Sequence, residues 1–170
     1  MTQQPLSTDC DALAEALRDE LQEYGELLNL LRRQQASILG REPEGVLGLV
    51  PLLNHQAAQC AELRFKRESL SGDFAHANGE DRQRKLTELL PLFPQGARAL
   101  VGGLIAELNA TLERLQRCAR QNHMLLGRSV EVTGEIVRTL KPEVITRTYT
   151  RKGVLNLRAP AQGACIRKTV

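Results

Sequence analysis

Leucine, alanine and valine recur at steps of three and four along most of this 170-residue chain, the period of one face of an α-helix. Between Arg98 and Leu140 the row Leu104, Leu108, Leu112, Leu115, Ala119, Asn122, Leu126, Val130, Thr133, Val137 and Leu140 makes one such face, a seam for packing within the chain. A second row lies beside it. It carries Glu107, Arg114 and Gln121 in its first part, then Leu125, Val132 and Ile136 after Asn122. An amphipathic helix covers a core with an apolar arc of roughly 100°, whereas the arc after Asn122 reaches about 160° on a wheel of 3.6 residues per turn. That surplus surface points to a protein that holds another protein.

The same periodicity sets out the remaining elements. A first helix is expected over about 9–39, capped by Thr8 or Asp9, with Leu13, Leu17, Leu21, Tyr24, Leu28, Leu31 and Ile38 on one face. Gly40 supplies its stop and Pro43 a restart. A second helix over about 44–70 would carry Val46, Val50, Leu53, Ala57, Cys60, Leu63 and Leu70, with Pro51 expected to kink it or shift its start. The polar stretch from Ser71 to Asp81 reads as a loop, and a short helical piece follows over 82–90. Pro94 opens the last helix, over about 95–140, and Pro142 closes it by restricting Lys141. At 1.5 Å per residue that helix is roughly 65 to 70 Å long against about 45 Å for the first. It must overhang its partners or bend, with Gly102, Gly103, Gly127 and Gly134 as candidate bend points. The expected fold is all-α: an antiparallel three-helix bundle or coiled coil over 1–141, with one very long C-terminal helix and a flexible basic tail over 142–170.

Composition supports that class. Hydrophobic residues make up 42% of the chain but aromatic residues only 3%, with no Trp; Leu and Ala supply the apolar mass, as in helical bundles. No apolar run approaches the roughly 18 residues that cross a bilayer. The opening MTQQPLSTDCDALAEAL is acidic where a signal peptide is basic, so the chain is expected in the cytoplasm. Net charge is +3 overall but unevenly placed. Residues 138–170 hold eight Lys or Arg against one Glu, or +7, leaving 15 basic against 19 acidic, or −4, over 1–137.

Catalytic chemistry finds no foothold. Cys10, Cys60, Cys118 and Cys165 never form a C-x-x-C pair, and His55 with Cys60, like His123 with Cys118, stands five residues apart, a poor shared metal face on a helix. His76 sits in a polar stretch without an acid or nucleophile at informative spacing. There is no phosphate-binding loop, nucleophile elbow or zinc-protease pair. The expectation is a binding protein that is not an enzyme, with no cofactor and no metal.

The segment ARQNHMLLGRSVEVTGEIVRTLKP, followed a few residues later by TYTRKG, resembles the C-terminal signature of the FlgN family of flagellar export chaperones. In that family a helix with an Asn followed by Leu-Leu leads through Leu-Lys-Pro into a tail bearing a Tyr with Gly four residues on. The matching positions are Asn122, Leu125, Leu126, Leu140, Lys141, Pro142, Tyr149 and Gly153. LRDELQEYGELLNLLRRQQASIL is similar to the family's first helix. The resemblance implies a cytoplasmic chaperone that binds hook-filament junction proteins (hook-associated proteins), keeps them from premature assembly and delivers them to the type III export gate. Cargo would be held through Asn122, Leu125, Leu126, Val130, Val132, Ile136, Val137 and Leu140. Docking to the cytoplasmic part of the gate falls to Tyr149 and Gly153. No small-molecule substrate or nucleic acid is implied, and membrane contact only indirectly, through the export apparatus. Asn122 has a second reading, a polar residue that sets helix register. Three other functions fit the residues: a regulatory or nucleic-acid-binding adaptor using the basic tail, a self-associating coiled-coil adaptor, and a chaperone for another flagellar substrate.

Overall fold

The computed structural model describes residues 4–140 and the strand segments 146–149 and 155–158, with side-chain environments over 9–140. The helices are α1 (Gln4–Leu39), α2 (Pro43–Ala77), the single turn α3 (Leu86–Leu89) and α4 (Gln95–Leu140), with a 3-10 turn, Leu90–Leu92, between the last two. The chain divides into two compact units, Met1–His123 and Met124–Val170, and α4 contributes to both.

The first unit is an up-down-up bundle. A Schellman turn joins α1 to α2: Glu42 N–H bonds Ser37 O at 2.9 Å and Arg41 N–H bonds Ile38 O at 3.2 Å. The left-handed residue of this turn is Arg41, at φ 57°, and not Gly40, the stop expected from the sequence. Pro43 then takes the first helical position, where its missing N–H costs nothing. α4 runs parallel to α1, since Leu17 and Leu108 line one cleft while Gln35 Nε2 reaches Gln121 Oε1 at 3.2 Å. Leu13, Leu17, Phe74, Leu89, Phe93 and Val101 are fully buried. Phe74 and Phe93 pack with ring centroids 4.4 Å apart and tilted by 32°, closing the end of the bundle where α2 hands over to α4.

Four expectations are corrected. α1 begins at Gln4 rather than Asp9, with Pro5 in its first turn. α2 continues to Ala77 through the expected loop, because Ser71, Gly72, Phe74 and Ala75 face the core. It ends in a second Schellman turn, with Gly79 at φ 78°, Gly79 N–H on His76 O at 3.0 Å and Glu80 N–H on Ala75 O at 2.9 Å. The helix also runs across Pro51, which leaves the kink, and not a shifted start, of the two effects expected of that proline. Regular α-helix in the piece expected over 82–90 is confined to Leu86–Leu89, whose two leucines are buried.

The bundle-facing side of α2 departs from its expected row as well. Val46, Leu49, Leu53, Gln56, Cys60, Leu63, Arg67, Leu70 and Phe74 are buried or half-buried, whereas Val50 and Ala57 are exposed. Two polar residues on that side have partners on α1. Arg67 Nε stands 2.5 Å from Glu20 Oε2, with Glu20 almost wholly buried, and Gln56 Nε2 bonds the backbone oxygen of Glu23 at 3.1 Å. Burial of such groups is tolerable because each is paired.

In the second unit, β1 (Thr146–Tyr149) and β2 (Leu155–Arg158) form an antiparallel ladder in which Thr146 faces Arg158 and Tyr149 faces Leu155. A flexible tail was expected here. Residues 141–145, 150–154 and 159–170 lie outside the described residues.

Candidate functional site

The buried line of α4 is Val101, Ile105, Leu108, Thr111, Leu115, Cys118 and Asn122. It agrees with the expected seam at Leu108, Leu115 and Asn122, but Ala119 is exposed and Cys118 takes its place. The cause is the mismatch between a 3.6-residue turn and a seven-residue repeat, which walks the packed line slowly around the helix. Extended at the same spacing, the line runs on through Leu125, Ser129, Val132 and Ile136. The row that looked like a neighbour of the seam is therefore its continuation.

Asn122 marks where burial stops. It is 2% exposed, and its Nδ2 donates to Leu31 O at 2.8 Å and to Gln34 Oε1 at 3.1 Å. Its Oδ1, also buried, has no hydrogen-bond partner among the described residues. The side chain is engaged with α1 through the two Nδ2 bonds. Of the expected cargo contacts it is the one that the fold occupies internally.

The other seven sit beyond it, and no residue from His123 to Leu140 is buried. Leu125 and Leu126 are half-buried; Val130 is 71% exposed, Ile136 52% and Leu140 75%, with Val132 and Val137 exposed as well. α1 ends four residues after Gln35, whereas α4 runs nineteen past Gln121. The helix is continuous through all four of its candidate bend glycines. Nothing stands within 4 Å of a Cβ added at Gly127 or Gly134, so neither is required by contacts within the fold.

Polar side chains on this segment bond to the helix itself. Ser129 Oγ donates to Leu125 O at 3.0 Å, Thr139 Oγ1 to Glu135 O at 2.9 Å and Arg138 Nε to Gly134 O at 3.1 Å. Hydroxyls satisfied in this way leave few unpaired donors to obstruct drying of the face. Anchors at three- and four-residue steps are what an amphipathic helix or groove partner grips, and burying each contributes roughly 1.5 to 3 kcal/mol in area terms.

Of the expected docking pair, Tyr149 is the last residue of β1 and Gly153 lies outside the described residues. Among those described, no cluster of three or more His, Cys, Asp or Glu could hold a metal, and no helix is long and apolar enough to cross a membrane. Cys10, Cys60 and Cys118 are free thiols within the core. Burial, and then the charges of Glu23 and Glu20, push the Cys60 thiol up to about 11, the opposite of an activated nucleophile.

The polar contacts Glu20–Arg67, Glu23–Gln56 and Asn122–Gln34 were not expected from the sequence. A signal exists for them: each side chain falls at a core step of its helix, where an unpaired polar group would be costly.

A family model described as FlgN protein matches residues 7–156. No curated protein matches the chain, and no solved structure does.

Proposed function

Because the chain belongs to the FlgN family of flagellar export chaperones, we propose that it binds hook-associated proteins of the hook-filament junction in the cytoplasm and delivers them to the export gate. One observation carries the reading. Within the matched region, α4 passes from a buried line ending at Asn122 to an apolar face that continues the same line and on which Val132 and Ile136 are exposed. A terminal amphipathic helix of the cargo would cover Leu125, Val132 and Ile136 together with Leu126, Val130, Val137 and Leu140. Hiding such a segment of the unassembled cargo would prevent premature assembly.

Delivery is assigned to the tail. Tyr149 with Gly153 would dock on the cytoplasmic part of the gate, leaving the α4 face free for cargo. The test is to mix the full chain with the C-terminal halves of the junction proteins and of a filament protein, and to follow complex mass by light scattering. Selective complexes with the junction proteins are expected. Equal binding to the filament protein, or none to either, would overturn the cargo assignment.

A further inference from the structure

We propose that one end of the bundle carries a second protein-binding site, a basic groove between α1 and α4 that takes a short acidic segment of a partner protein. Charge is segregated along the first unit. Residues 27–61 and 114–123 hold six Arg and two Glu, or +4, whereas the rest of that unit, with 15 acidic against eight basic residues, carries −7. The +4 stretches share the end with the α1–α2 turn, since Gln35 meets Gln121 and Gln56 meets Glu23. Their sign stays positive with every carboxylate there counted.

At this end Arg32 and Gln35 of α1 face Arg114, Arg117 and Gln121 of α4 across a groove of about 200 Å³, with Cys118 in its floor. No carboxylate is among the described residues that line it. Arg32 and Arg114 are exposed, and neither forms an ion pair among the described residues. Arg117 has only Glu113, at 3.8 Å, with both side chains more than half exposed; a contact of that kind contributes little. Burial pushes the Cys118 thiol up while the charge of Arg32 pulls it down, which places that guanidinium near the floor. Gln35 Nε2 donates to Gln121 Oε1, so the Gln121 amide nitrogen is left to donate to an incoming oxygen.

Charge decides the occupant. Guanidiniums hold carboxylates by paired, charge-assisted hydrogen bonds, and these are not already engaged within the fold. The short reach of the patch favours a protein over a nucleic acid. Glu107 stands about two turns before Arg114 on α4, and residues 1–26 carry −6. A strand charged uniformly along its length would run along the groove into like charge, whereas a protein segment can confine its carboxylates to the +4 end. The chain's own tail, at +7 over residues 138–170, has the wrong sign, so the segment belongs to another protein. This site stands or falls independently of cargo binding on α4.

The probe is a fluorescent octapeptide of alternating Glu and Ala, compared with Gln-Ala and Lys-Ala counterparts and with a single-stranded DNA octanucleotide, each titrated by anisotropy against the full chain. The Glu-Ala peptide is expected to bind at least ~10-fold more tightly than either peptide counterpart and to weaken with salt. Arg32→Glu with Arg114→Glu should remove at least ~10-fold of that affinity. Arg33→Glu with Arg120→Glu makes the same change of charge at the same end of the bundle but outside the groove lining, and should cost at most ~3-fold. If either charge-reversed chain loses its helical circular dichroism, the corresponding Gln substitutions replace both pairs and are compared in the same way. Equal losses in the two variants, wild-type affinity in the groove variant, no binding of the Glu-Ala peptide, or tighter binding of the DNA would overturn the proposal.

Discussion

Arg41 shows how a single backbone angle can hold stability in reserve. It occupies the left-handed position of the α1–α2 turn at φ 57°, where a side chain costs roughly 1–2 kcal/mol relative to glycine, and it is solvent-exposed. Arg41→Gly should therefore raise stability by about 1 kcal/mol, the strain relieved exceeding the added freedom of the unfolded chain; urea unfolding of the two proteins measures it. Cys60 and Tyr24 make a second residue-scale case. Cys60 is raised from 9.0 to about 11 by burial and the charges of Glu23 and Glu20, and Tyr24 from 10.0 to about 12 by burial and then Glu20. In both, the folded state holds its proton more tightly than the unfolded chain, so their contribution is complete below pH 9 and is lost as pH rises, through 11 for Cys60 and 12 for Tyr24. Between pH 9 and 11 the wild type should lose about 2 kcal/mol that Cys60→Ala, already weakened by its cavity, does not lose again. Denaturation curves of both proteins at the two ends of that window give the comparison.

At the scale of elements, α1 and α4 were legible because each has one apolar face and a polar back, and their bounds come within a few residues of the expected ones. α2 was harder to read, for a physical reason. It is apolar on both sides: Leu49, Cys60 and Phe74 face the bundle, while Leu47 and Phe65 are 70% and 74% exposed on the far side. A search for one face therefore mixes the two, which is how Val50 and Ala57 entered the expected core and Gln56 and Arg67 did not. The turn signals in Ser71–Asp81 were real at Asn78, Gly79 and Asp81, but the helix runs through Gly72 and Asp73, because Phe74 has a partner in Phe93 that lies nineteen residues away in sequence. The candidate site was half legible. Two apolar rows after Asn122 could be counted, yet which of them continued the packed line depended on the register that Asn122 and Cys118 adopt against α1. If the continuation is a binding face and not a structural one, Leu125→Asp with Ile136→Asp should leave the helical circular dichroism and melting temperature close to wild type while abolishing the complex with a hook-associated protein. A large fall in melting temperature would assign those leucine and isoleucine side chains to the fold instead.

The whole molecule separates two kinds of surface along one chain. Residues 1–137 carry −4 and end in an apolar helical face, whereas residues 138–170 carry +7. An apolar face grips cargo through area, without regard to sign, while a basic segment gains from steering toward an acidic surface and loses that gain in salt. Under the proposed function, holding and delivering should then be weakened one at a time. Tyr149 is the residue on which to try it, because it belongs to the ladder through its backbone, opposite Leu155, and a change to alanine keeps every backbone donor and acceptor. Tyr149→Ala should bind a hook-associated protein with the wild-type affinity in calorimetry, yet export it several-fold more slowly from cells that have this variant as their sole copy. Steeper salt dependence of export than of cargo binding should accompany the defect. Normal export by the Tyr149→Ala strain would take the tyrosine out of the delivery step, and a parallel loss of cargo affinity would mean that the tail and the α4 face act as one site.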